Sequence, residues 1–278
     1  MAVLGAAILP RVRRWLTLLL VVLAVGALGA AAAAAQAQSV PWQPDLASAR
    51  DYAKHRDGII GFAVRTEKGF WGWNQKKQEP SASVIKAMIL VAYLDLPSVR
   101  GRDLKDKDRA MLDPMIRYSD DHATDKTFNY VGFDGLRDLA KRVGMTRFET
   151  SYHWGRSKIT ASDQTRLMLH LDGFITGPDP VIVKRHRDYA LKLLATIVKG
   201  RWGLWKVSTP GWKLHEKGGW GAKTGWVNSQ VALYTRGTMR VAVAILTHND
   251  PSHDYGSETL RALGKRLLRG LNEQSVVE

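Results

Sequence analysis

Ser83-Val84-Ile85-Lys86 sets a hydroxyl and an amine three residues apart at the start of an apolar run that extends from Val84 to Leu96. Three residues is close to one helical turn, so on a helix the two side chains share a face. A water-poor surrounding or a second cation would lower the pKa of Lys86 and let it take the proton of Ser83 as that oxygen attacks a carbonyl. The amino terminus of a helix adds backbone N–H groups suited to a developing oxyanion. Alone the pattern is weak, because a helix cap followed by a solvated lysine reads the same way.

Two further motifs strengthen it. Tyr118-Ser119-Asp120-Asp121 follows a helical turn expected around Asp113 and Pro114, and Gly221-Ala222-Lys223-Thr224-Gly225-Trp226 precedes a strand-like run. In order and context the three match S-x-x-K, S-D-N and K-T-G. On these residues the chain resembles the penicillin-recognising serine hydrolases, most closely their class A β-lactamase-like branch, from about Ile59 to the end of the last helix.

The resemblance implies roles. Ser83 would be the acylated nucleophile and Lys86 its proton acceptor, while Ser119 would pass a proton to the leaving nitrogen. Lys223 would hold the substrate carboxylate and depress the pKa of Lys86, and Thr224 would hydrogen-bond the same carboxylate. Gly225 and Trp226 would border the substrate, with the backbone N–H groups of Ser83 and Trp226 as the oxyanion hole. No cofactor and no metal is implied.

The chain departs from that family in three places. Asp121 stands at the substrate-binding position where the family has an amide; an ionised carboxylate only accepts hydrogen bonds, so it either faces the substrate as an acceptor or pairs instead with Lys86 and raises its pKa. The Glu-x-x-Leu-Asn element that activates the deacylating water in class A enzymes is absent after Gly144, where the chain reads Phe148-Glu149-Thr150-Ser151-Tyr152-His153-Trp154-Gly155. Glu149 is the only carboxylate between Gly144 and Thr160, either the water-activating group or an exposed loop acid. The spacing from Ser83 to Ser119 is also short for the family, which implies a trimmed helical half.

The elements that must position these groups follow from patterning. Ile59–Val64 and Phe70–Trp73, with turn chemistry between them, read as a hairpin, and so do Gln230–Thr235 and Met239–Thr247 around Arg236-Gly237. Helices are expected over Val84–Leu96, over Leu136–Val143 after Asp134, behind a Thr160/Asp163 capping box, over Val181–Val198, and over Ser257–Arg269 with a leucine stripe. The fold class expected is α/β plus all-α: an antiparallel sheet flanked by helices, built from about 44–80 and 200–278, with a helical half inserted over about 81–199. The cleft between the halves is the natural place for the site.

Composition bounds the rest. The 278 residues suffice for one large domain, and with no cysteine present, thiolate chemistry and disulfide scaffolds are excluded. Arg11, Arg13 and Arg14, the apolar stretch from Trp15 and the Ala35-Gln36-Ala37 site read as a signal peptide over 1–37, with an uncleaved anchor as the alternative. Either way the body is expected to be extracytoplasmic, secreted or held in the cell envelope. Loss of the three arginines lowers the formal charge from +15 to +12, a surface suited to an anionic wall polymer.

The other clusters read blandly. Asp120, Asp121, His122 and Asp125 form a capped helix start rather than a metal site, and His248, Asp250, His253 and Asp254 a loop with turn chemistry. Trp202, Trp205, Trp212, Trp220 and Trp226 lie among basic residues; Trp220 and Trp226 are expected to border the cleft. Basic helix faces such as Arg137, Lys141 and Arg142 are solvated, and no nucleic-acid partner is expected. The function implied is an exported serine hydrolase acting on a β-lactam or a D-Ala-D-Ala-like wall peptide. The alternative is a non-catalytic wall-binding or β-lactam-sensing protein of the same fold.

Overall fold

The computed structural model describes residues 42–171, 182–223 and 225–271. The signal-peptide reading of 1–37, Val181 and Thr224 lie outside the described residues. The described elements are α1 (Leu46–Lys54), β1 (Ile59–Arg65), β2 (Phe70–Trp73), β3 (Glu79–Pro80), α2 (Ile85–Asp95), α3 (Pro97–Arg100), α4 (Asp106–Arg117), α5 (Asp121–Arg142), β4 (Lys158–Ile159), α6 (Ala161–Leu171), α7 (Lys184–Ala195), β5 (Lys213–Gly221), β6 (Trp226–Arg236), β7 (Met239–Asp250) and α8 (His253–Leu267).

Five antiparallel strands form one sheet in the order β2-β1-β7-β6-β5. Strand side chains alternate between faces, and the two faces feed two cores. Ala63, Val231, Leu233, Ala242, Ala244 and Leu246 join the core that contains α2, α6 and the helical segment. Phe62, Val64, Ala232, Tyr234, Val243 and Ile245 join the core closed by α1 and α8. The terminal segments thus make the five-stranded sheet and the two helices α1 and α8 that pack on it, and the central segment supplies the other described helices.

Helix α2 is apolar around its whole circumference, and every residue from Ile85 to Leu94 is buried. Such a helix belongs in a core. Around it the sequence expectations are corrected in detail. The helix expected over Leu136–Val143 begins far earlier, at Asp121, because Asp120 caps it; it is broken at Gly132, whose φ is 64°. Thr160 caps α6 by accepting from the Asp163 N–H at 3.1 Å, but the Asp163 carboxylate turns to the N–H groups of Thr146 and Arg147 instead of closing a capping box. The final helix starts at His253, capped by Ser252, so His253 and Asp254 are helical rather than loop residues.

The main element not anticipated is β5. Lys213–Gly221 holds three glycines and alternates poorly, so neither periodicity nor propensity marks it as a strand. It is nevertheless the sheet edge that meets the serine turn.

Candidate active site

Ser83 sits in a 3-10 turn, Ala82–Val84, that runs directly into α2. Ala82 before it has φ 43°, a left-handed conformation that costs energy outside glycine and presents the serine at the head of the helix. Ser83 is half-buried, and among the described residues its Oγ has no hydrogen-bond partner. Lys86, one turn on, has no exposed side-chain surface. Its amine lies 2.7 Å from the Ser119 carbonyl oxygen, 3.3 Å from Ser119 Oγ and 2.6 Å from Asp121 Oδ1.

The turn between α4 and α5 aims those acceptors. Ser119 is itself left-handed, with φ 55°, which lets both its carbonyl and its hydroxyl face one amine. Asp120 then caps α5, its Oδ1 accepting from the Ala123 N–H at 2.7 Å, and Asp121 is the first helical residue. Asp120→Ala is expected to cost about 1 kcal/mol of folding stability, the usual worth of an N-cap. Thermal denaturation of the two proteins checks it, with a fall of a few degrees as the expected result.

The second amine at Ser119 corrects the sequence reading. It comes from Lys217 in β5: its Nζ is 3.1 Å from Ser119 Oγ and 2.7 Å from the Gly218 carbonyl oxygen, and its side chain is fully buried. Lys223 and Gly225 instead lie exposed in the link between β5 and β6, six and eight residues along from Lys217. Trp226 opens β6, with its ring 6.2 Å from that of His253. Of the motif Lys223-Thr224-Gly225, the described Lys223 and Gly225 make no hydrogen bond to Ser119 or Lys86. Lys217-Gly218-Gly219 supplies the contact to Ser119, and the available signal was the pair of glycines directly after a lysine.

Those glycines matter because β5 packs against the serine turn backbone to backbone. A Cβ on Gly219 would lie 2.7 Å from both the Ser83 and the Val84 nitrogens and 3.0 Å from the Ser81 carbonyl oxygen. A Cβ on Gly218 would meet the Trp202 ring at 3.4 Å. As an edge strand, β5 has backbone groups along its outer side that no neighbouring strand pairs among the described residues, and its Gly219 face packs on the turn that holds Ser83.

Electrostatics follow the geometry. Burial lowers the Lys86 amine from its ordinary value, while the hydrogen bond and charge of Asp121, with Asp120 and Asp125 behind it, act upward. Burial, together with the nearby Lys86 charge, pushes Lys217 down to about 7. Next to it in β5, burial pushes the Glu216 carboxyl well up, and one of its oxygens has no hydrogen-bond partner.

Trp154 and Glu149 stand differently to Lys86. The Trp154 ring lies 5.0 Å from the Lys86 amine, and its indole N–H donates to Asp125 Oδ1 at 2.8 Å. Sequence reading passed over Trp154, since nothing in its spacing tied it to the serine. Glu149 is exposed, bridged through its backbone to Lys158, and its Oε1 accepts from Gln78 Nε2 at 2.8 Å. It makes no contact with Ser83, Lys86 or Ser119, which fits an exposed loop acid. Among the described residues no group of acidic, histidine or cysteine side chains is arranged to hold a metal.

The arrangement is a serine with two buried amines and a second hydroxyl between them, suited to moving a proton during attack on a carbonyl. Comparison with known proteins places the family and the fold. The model of the beta-lactamase enzyme family matches residues 109–271. A class A beta-lactamase from Bacteroides cellulosilyticus superposes with a TM-score of 0.70 at 15% identity, covering 84% of this chain and 100% of that one. A class A beta-lactamase from Mycobacterium abscessus gives 0.67 at 18% identity, covering 82% and 99%. A PBP-A variant, solved as its acyl-enzyme complex with penicillin G, gives 0.66 at 16% identity, covering 83% and 96%. No curated protein matches the sequence.

Proposed function

The chain belongs to the beta-lactamase enzyme family, and from that premise we propose that it is an exported serine hydrolase that forms an acyl-enzyme on Ser83 with a β-lactam or a D-Ala-D-Ala-like amide. The observation that carries this reading is the convergence of the Lys86 and Lys217 amines on Ser119 Oγ, at 3.3 and 3.1 Å, beside the turn that presents Ser83. Attack by Ser83 Oγ forms an ester and breaks the amide C–N bond. The serine proton passes through the array of amines and hydroxyl to the leaving nitrogen. The Ser83 N–H, which has no hydrogen-bond acceptor among the described residues, is a donor for the oxyanion in this reading.

Hydrolysis of the ester is the slow half of the reaction in this reading. A deacylating water needs a base near the ester; the Lys86 amine is paired with Asp121 and faced by the Trp154 indole, Lys217 is engaged by Ser119 and the Gly218 carbonyl, and Glu149 is engaged by Gln78. A long-lived adduct suits a penicillin-binding protein acting on wall peptides better than a β-lactamase. Export through 1–37 belongs to the same proposal and rests on the basic, apolar and small-residue order of that segment.

The test is to add excess benzylpenicillin, follow intact mass, and measure free drug in parallel. The expected result is an adduct that persists while about one equivalent of drug is lost. Loss of many equivalents with only a transient adduct would show an efficient β-lactamase and refute slow deacylation; no adduct and no loss would refute the β-lactam reading.

A further inference from the structure

Two buried amines share one hydroxyl, and one carboxylate is in contact with only one of them. Lys86 Nζ has three acceptors, the Ser119 carbonyl oxygen, Ser119 Oγ and Asp121 Oδ1, which matches the three N–H donors of an ammonium group. Lys217 Nζ has two neighbours, the Gly218 carbonyl oxygen and Ser119 Oγ. Among the described residues its charge would have no ion-pair partner within reach. Glu216 precedes it in the chain but projects to the other face of β5, and burial pushes its carboxyl well up.

The Ser119 hydrogen gives a second argument. If both lysines were ammonium groups, both would donate to Ser119 Oγ, and the hydroxyl hydrogen would have no acceptor among the described residues. If Lys217 is a neutral amine, its lone pair accepts that hydrogen while Lys86 donates to the oxygen, and the hydroxyl is satisfied.

We propose that in the resting site the positive charge is fixed on Lys86 by Asp121, and that Lys217 is a neutral amine which receives the proton of Ser119 and, through it, that of Ser83. The catalytic half of this proposal rests on the reading of Ser83 as nucleophile; the placement of the charge does not. The two hydroxyls are not hydrogen-bonded to each other in the resting site; in the substrate complex, as the Ser83 Oγ–carbon bond forms, the Ser83 proton moves to Ser119 Oγ and the Ser119 proton to Lys217 Nζ. As the carbon–nitrogen bond breaks, Ser119 gives its proton to the leaving nitrogen and takes one back from Lys217, restoring both. Lys86 holds its charge throughout and balances the oxyanion. The charged and titratable groups acting on the two amines are Asp121, Asp120 and Asp125 at Lys86, and Lys86, Glu216 and Asp121 at Lys217. The fall of Lys217 to about 7 agrees with the assignment.

The experiment is a titration of the full chain by NMR of the lysine side-chain nitrogens, without substrate. The two resonances are assigned by their loss in Lys86→Gln and Lys217→Gln, or, if either variant fails to fold, by the shift that Asp121→Asn imposes on Lys86. At pH 8 the expected result is an ammonium signal for Lys86 and an amine signal for Lys217, with a Lys217 midpoint near 7. Asp121→Asn is expected to lower the Lys86 midpoint by about one pH unit or more. An ammonium signal for Lys217 with a neutral Lys86 at pH 8 would overturn the charge placement. In a parallel arm, the rate of benzylpenicillin acylation should rise with pH through the Lys217 midpoint; a rate that follows the Lys86 midpoint instead would overturn the proton route. Absence of any acylation counts against the substrate reading and leaves the NMR result to decide the charge.

Discussion

Lys217→Met is expected to slow acylation of Ser83 by benzylpenicillin at least about a hundredfold, the scale on which a positioned proton-transfer group contributes. Lys223→Met should leave the rate essentially unchanged. Both are lysines followed by small residues in the same stretch of chain, yet only Lys217 is buried and within 3.1 Å of Ser119 Oγ. Methionine fills the volume of the lysine stem, so the variant removes the amine with little loss of packing.

Stability separates this chemical effect from unfolding. The folded-state pKa of Lys217, about 7, lies below the ordinary lysine value of 10.5, so between those values the unfolded chain binds more protons than the folded one. Stability must then rise with pH across that window, by up to about 1.4 kcal/mol per pH unit from this group, and the contribution is lost as pH falls toward 7. The Met variant lacks the rise. It should be at least as stable as the parent at pH 6 while remaining slow to acylate, and denaturation curves at pH 6 and pH 9 check both.

Gly219→Ala is the second large effect. The added Cβ would sit 2.7 Å from two backbone nitrogens of the serine turn, and neither a strand locked in the sheet nor a turn locked to α2 can yield at low cost. The turn must move by a large fraction of an ångström, and a displacement of that order at a reacting atom costs about a hundredfold in rate. Acylation should fall accordingly, with a lowered melting temperature. Gly221→Ala, two residues on, has nothing within 4 Å of its new Cβ and should change stability by no more than about 0.5 kcal/mol. Equal effects from the two substitutions would contradict the packing of β5 against Ser83.

The contrast between Lys217 and Lys223 also shows how far the sequence could be read. The apolar run after Ser83 reports a buried helix because burial on all sides leaves no polar stripe, and it carried Ser83 and Lys86 to their places together. The hairpins at β1–β2 and β6–β7 were legible from β-branched and aromatic runs around turn residues. Strand β5 was not, since its position comes from pairing with β6 and from backbone contact with the serine turn, and glycines that permit such contact erase the side-chain pattern. A literal motif six residues on therefore drew the assignment. Trp154 was invisible for a related reason: its contact with the Lys86 amine joins residues distant in sequence and leaves no local periodicity.

Asp121, read from sequence as a substrate-facing residue with pairing to Lys86 as the alternative, forms that pair in the structure, at 2.6 Å with the carboxylate largely open to solvent. An ion pair with one exposed partner contributes little to folding. Its consequence lies in the distribution of charge between the two buried lysines.

The central claim is that Ser83 is the nucleophile of an acyl-transfer site. Its most direct test is proteolytic peptide mapping of the protein after brief exposure to benzylpenicillin, beside the Ser83→Ala variant treated identically. The account predicts one drug-derived ester on the peptide that contains Ser83, and none in the variant. An adduct on another residue, or an equal adduct in Ser83→Ala, would contradict it.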